Sequence, residues 1–89
     1  MEKDYKGAVA YYEMIAFFGQ GNSSLTLQAL TNAAALRLRV ATIQPIQIPA
    51  AIFECTRALE IDPNNVEALF RRGLGLALAQ RWTQAISGE

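Results

Sequence analysis

An all-α array of antiparallel helix pairs is the fold class this sequence predicts, and three observations predict it. Apolar residues recur at three- and four-residue steps through most of the 89 residues, the spacing that gathers them on one face of a helix. Three stretches also share a layout: Tyr5, Ala8 and Val9; Ile48, Ala51 and Ile52; Trp82, Ala85 and Ile86. Each is a large apolar residue, then Ala three positions on, then Val or Ile. Finally, 34 positions separate Ala51 from Ala85, the period of a helix–turn–helix repeat. Ala8 to Ala51 is longer, at 43, and the extra residues fall in "GQGNSS" (19–24) and "ATIQPIQIP" (41–49).

The elements follow in order. Residues 5–18 form a first helix, stopped by Gly19 acting as a left-handed C-terminal residue. Residues 25–40, rich in Ala and Leu, form a second, with Ser24 as its N-cap. Residues 48–61 form a third, in which Pro49 is tolerated because it falls in the first turn. Pro63 cannot continue that helix and disfavours helical geometry at Asp62, so Asn64 or Asn65 caps a fourth helix over 66–79. A turn then leads to the start of a fifth helix at Trp82, extending to about Ser87. As a domain plan this gives a single unit over 1–89: a partial repeat 1–18, a linker 19–24, a repeat 25–63 with the inserted loop 41–49, and a partial repeat 64–89.

Composition narrows the function. Eight Lys plus Arg balance eight Asp plus Glu, so nothing favours a polyanion ligand, and Arg37 and Arg39 lack the basic and aromatic interleaving of a nucleic-acid surface. No run is long enough to cross a bilayer, and the charged opening "MEKDYKG" argues against a signal peptide. Absence of His and of metal-ligand spacing argues against a metal site, a cofactor and histidine acid–base catalysis. Cys55 is alone and has no neighbour that would activate it, so it reads as a small packed residue in a reducing, cytoplasmic setting. Tyr11, Tyr12, Phe17 and Phe18, at helical spacing, read as core; Trp82 is expected against the fourth helix. The isoleucines of the inserted loop, Ile43, Ile46 and Ile48, are expected to fold back onto the helices.

"ALEIDPNNVEALFRRGLGLALAQRWTQAI" resembles a tetratricopeptide repeat (TPR): Leu69, Gly73 and Leu76 fall on marks of the first helix, Ala85 on one of the second, and Pro63 closes the preceding repeat. "LTNAAALRLRV" with "AAIFECTRALEIDPNN" resembles a second repeat, and "KDYKGAVAYYEMI" the second helix of a repeat lacking its first. The style is most similar to TPR domains of immunophilins and related Hsp90 co-chaperones. The resemblance implies an α-solenoid of about four helices plus the start of a fifth. It places Arg37 where an aromatic residue would fill the space between helices, with its stem packed and its head in water. It implies no catalytic residues here; activity would belong to a longer enzyme such as an immunophilin prolyl isomerase.

In that family the first helices line a groove that binds a peptide or partner protein. The lining would be Gln28, Thr31, Asn32, Ala35 and Arg39 on helix two, and Glu67, Phe70, Arg71, Leu74 and Leu78 on helix four. Co-chaperones grip the acidic C-terminal tail of Hsp90 or Hsp70 with Lys, Asn and Arg, donors suited to carboxylates. By resemblance Asn32 and Arg71 match two of those donors. Glu67 stands where a Lys is expected, one turn from Arg71, and partly neutralises it. Apolar surface on the uncapped terminal helices implies marginal stability or self-association.

Overall fold

A computed structural model describes residues 5–19 and 21–88. Residues 1–4, 20 and 89 of the expected segments 1–18, 19–24 and 64–89 lie outside that description. The described residues form four α-helices: α1 (Tyr5–Phe18), α2 (Ser23–Arg39), α3 (Gln47–Ile61) and α4 (Val66–Ser87). Each helix packs on the next in sequence, and the short connections make neighbours antiparallel. α2 and α4 also touch, so α2 is central, against α1, α3 and α4. The result is a slab of 46 × 30 × 16 Å, all-α among its described residues.

The core is built largely from small side chains. Ala16, Ala29, Leu30, Ala58 and Ala68 form one buried cluster; Ala34, Ala51 and Cys55 form another, with Cys55 wholly buried. Alanine at these contacts lets helix axes approach closely, at the cost of little apolar area per residue. A third cluster joins Tyr5 and Val9 of α1 to Val40 after α2.

Local chemistry sets most helix ends. The Asn65 side chain accepts from the Ala68 amide at 2.8 Å, the expected cap, and the Asp62 side chain accepts from the Asn64 amide at 3.2 Å to brace the turn at Pro63. For α2 the cap is Asn22, whose side chain accepts from the Leu25 amide at 3.1 Å, rather than Ser24, which lies inside the helix. Gly19 is not left-handed: its amide donates to the Ile15 carbonyl at 2.7 Å. Glycine is required there for another reason, since a Cβ would stand 2.7 Å from that oxygen and 3.1 Å from Leu25 Cδ2.

The expected turn between residues 79 and 82 does not form. α4 runs unbroken for 22 residues and ends at Gly88, with φ of 81°. "LALAQRWTQ" contains neither Gly nor Pro and is mostly strong helix formers, so nothing local stops the helix; the expectation rested on the repeat period alone. Trp82 accordingly lies on α4 itself and faces Pro45, Ile48 and Ile52 across a cleft of about 520 Å³. Two further expectations fail on burial. Ile43 and Ile46 are exposed, and only Ile48 turns inward. Tyr11, Phe17 and Phe18 are exposed too, whereas Tyr12 is partly buried against the main cluster, because α1 has only α2 beside it.

Candidate functional site

Of the residues the sequence singles out on α2 and α4, most are exposed or half-buried; Thr31 is the exception, 2% exposed and so buried rather than lining a groove. Gln28, Asn32, Ala35 and Arg39 lie on one line of α2, at i, i+4, i+7 and i+11. Gln28 and Arg39 are exposed; Asn32 and Ala35 are half-buried. On α4, Glu67, Phe70 and Leu74 are exposed, with Phe70 70% and Leu74 41% accessible. Leu78 continues this side and lines a smaller cleft near Pro45 and Arg81.

Arg71 joins the two helices. Its guanidinium lies 3.3 Å from the Glu67 carboxylate, the i, i+4 pair expected from the sequence, and donates at 3.3 Å to the Thr31 backbone carbonyl of α2. The Thr31 hydroxyl itself bonds back to the carbonyls of Leu27 and Gln28 within α2. The Arg71 side chain is 23% exposed and that of Glu67 is 59% exposed. An incoming carboxylate would therefore meet a guanidinium already held on two sides. Asn32 and Arg71 are on helices that touch, α2 and α4.

A second constellation escaped the sequence reading. The Arg37 head is not in water: its side chain is 14% exposed and ties three helices together. It donates to Glu54 of α3 at 3.0 Å, to the Gln47 side chain at 2.7 Å, and to Glu13 of α1. Gln47 then donates to the Tyr5 hydroxyl, which donates to Gln44, extending the network to the start of α1 and the loop before α3. The Glu54 side chain is only 7% exposed. Burial pushes its carboxyl above the usual range, opposed by the Arg37 charge and hydrogen bond. A signal was available: Glu54 falls among Ala51, Cys55 and Ala58 on the apolar stripe of α3, where a carboxylate needs a partner. Arg37 and Glu54 also line a cleft of about 320 Å³ between α1 and α3, walled by Tyr12, Phe17 and Phe53 over the alanines of α2.

Cys55 is buried, and burial pushes its thiol up, away from the reactive thiolate form. No group of three His, Cys, Asp or Glu side chains among the described residues could hold a metal ion, and no described helix is long and apolar enough to cross a membrane.

This geometry defines an all-α chain with an exposed two-helix face and gives no indication of a catalytic role. Comparison with known proteins adds a relationship. Over 78 residues, 81% of the chain, the sequence is 38% identical to peptidyl-prolyl cis-trans isomerase FKBP4 of Bos taurus and 37% identical to that of Homo sapiens. It is 36% identical to the Mus musculus protein over the same length. The chain spans 17% of the length of these relatives, so it is homologous to one portion of them. No family model matches the chain, and no solved structure matches it.

Proposed function

We propose that this chain is a TPR-type interaction module, a non-catalytic portion of a longer immunophilin-like protein, that receives a peptide of a partner protein on the face formed by α2 and α4. The observation that carries this reading is the line of exposed Gln28 and Arg39 with half-buried Asn32 on α2, together with exposed Phe70 and Leu74 of α4 and Arg71 bridging the two helices. Exposed aromatic and aliphatic side chains flanked by amide and guanidinium donors suit a peptide with an apolar side chain near a carboxylate. Homology to part of FKBP4 supports an interaction role. The resemblance to co-chaperones makes the acidic C-terminal tail of Hsp90 or Hsp70 the first peptide to try.

The Arg71–Glu67 pair shapes the expected specificity. A carboxylate at Arg71 also feels Glu67, a repulsion of about 1 kcal/mol at 4 Å in water. The face therefore favours one carboxylate with apolar neighbours over a strongly acidic tail. Titration of the chain with a short peptide bearing a free C-terminal carboxylate, beside its amidated twin, tests the proposal. Arg71→Ala should weaken the free acid at least tenfold and leave the amide little changed, whereas Phe70→Ala should weaken both. Equal binding of acid and amide, or insensitivity to both substitutions while the chain stays helical, overturns the assignment of this face.

A further inference from the structure

The cleft between α1 and α3 is made by helices inside the array. Each helix packs on the next, α2 also touches α4, and among the described residues α1 and α3 do not touch, so even and odd helices form two layers. By that alternation a helix ahead of α1 would join the α2–α4 layer, and one after α4 would extend the α1–α3 layer beyond α3. Neither enters the gap. Its floor is made of small side chains, Ala16, Ala29, Ala33 and Ala50, which leave about 320 Å³ open, near the lower end of the roughly 300–1,000 Å³ of small-molecule sites.

Both signs of charge line this cleft. Arg37 commits all its nitrogens, Nε to Glu54 and the two terminal ones to Gln47 and Glu13. One guanidinium thus serves two carboxylates, and that end keeps a surplus of negative charge. Oε1 of the buried Glu54 accepts the Arg37 bond, whereas Oε2 accepts none among the described residues. No buried side-chain oxygen or nitrogen among those residues lacks a partner, so Oε2 is open to solvent, and Glu54 lines the cleft. Arg57, three residues further along α3, is half-buried in the same lining and makes no hydrogen bond or close ion pair with a described residue.

We propose that this cleft binds a small aromatic zwitterion, of the class of a free aromatic amino acid: its ring on the alanine floor between Phe17 and Phe53, its ammonium on Glu54 Oε2, its carboxylate on Arg57. Each part meets its complement. A purely apolar ligand would cover Glu54 and Arg57 and leave both without partners, a costly desolvation. An amine alone would add a cation beside Arg57, and a carboxylate alone would face the surplus charge of Glu13 and Glu54. A zwitterion answers both ends and adds no net charge. Glu54 and Arg57 are about 4.5 Å apart in helical rise, a span that ammonium and carboxylate groups on one carbon can bridge. The cleft shares no residue with the α2–α4 face, so this site stands or falls independently of the proposed function.

An NMR chemical-shift titration of the isotope-labelled chain reads place and affinity together. L-phenylalanine should bind saturably, with a Kd in the millimolar range expected of so small a ligand and the largest shifts at the amides of Ala33, Phe53 and Arg57. Phenethylamine, 3-phenylpropionate and L-alanine, which lack the carboxylate, the amine and the ring in turn, should each bind at least fivefold more weakly. Arg57→Gln should abolish the advantage of L-phenylalanine over phenethylamine. Ala50→Phe, which places a ring in the cleft from a half-buried position, should abolish binding altogether. Circular dichroism of each variant confirms that the helices remain. Absence of saturable shifts up to the solubility limit, shifts centred elsewhere, or phenethylamine binding as well as L-phenylalanine overturns the proposal. Equal binding of N-acetylphenylalanine amide overturns it too, by making the cleft a seat for a peptide side chain.

Discussion

Replacing Arg37 by Leu removes the charge that holds three helices, and the structure sets the size of the effect. The Glu54 side chain, 7% exposed, would lose its charged partner and keep its desolvation. Breaking a buried pair from one side costs about 3–5 kcal/mol. The Glu13 contact adds little, because that side chain is 53% exposed and such pairs are worth about 0–1 kcal/mol. Against a total of about 4–13 kcal/mol for a chain of this length, the loss is a large fraction. At about 4–8 °C per kcal/mol, Arg37→Leu should lower Tm by at least about 12 °C, followed by the helical circular dichroism signal. Adding Glu54→Gln should recover most of it, because a neutral amide removes the orphaned charge. The reasoning is refuted if Arg37→Leu costs under about 1 kcal/mol, or if Glu54→Gln makes the double variant no more stable than Arg37→Leu.

Other substitutions separate local from tertiary effects. Glu54 also predicts a pH dependence: with its folded pKa raised, its share of stability is fully present below the unfolded value and is lost as pH rises through the folded pKa, so wild type should lose stability relative to Glu54→Gln across that window in paired thermal melts. Asn65→Ala and Asn22→Ala should each cost about 1 kcal/mol, while Ser24→Ala stays within about 0.5 kcal/mol; urea titrations distinguish them. Gly73→Ala, with nothing within 4 Å of the added Cβ, should stabilise by about 0.5–1 kcal/mol. Gly75→Val should destabilise by about 1–3 kcal/mol, because its Cβ would meet Ile52 Cγ1 at 2.9 Å; denaturant midpoints of the two variants should move in opposite directions.

The sequence by itself determined what depends on residues within a turn or two of each other. Four helical stretches, the Pro63 stop and the Asn65 cap are set by contacts three or four positions apart, and the Arg71–Glu67 pair follows from the same spacing. Tertiary structure decided whatever depends on which helices become neighbours. The Arg37 network joins residues 24 and 17 positions apart, so a side chain expected to reach water became an interior tie. Whether Tyr11, Phe17, Phe18, Ile43 and Ile46 are core or surface depended on how many helices flank α1 and the loop before α3, and periodicity cannot count them. The continuity of α4 is the converse case: a repeat period placed a turn at residues 79–82, but no residue there breaks a helix, and backbone propensity carried it through to Gly88.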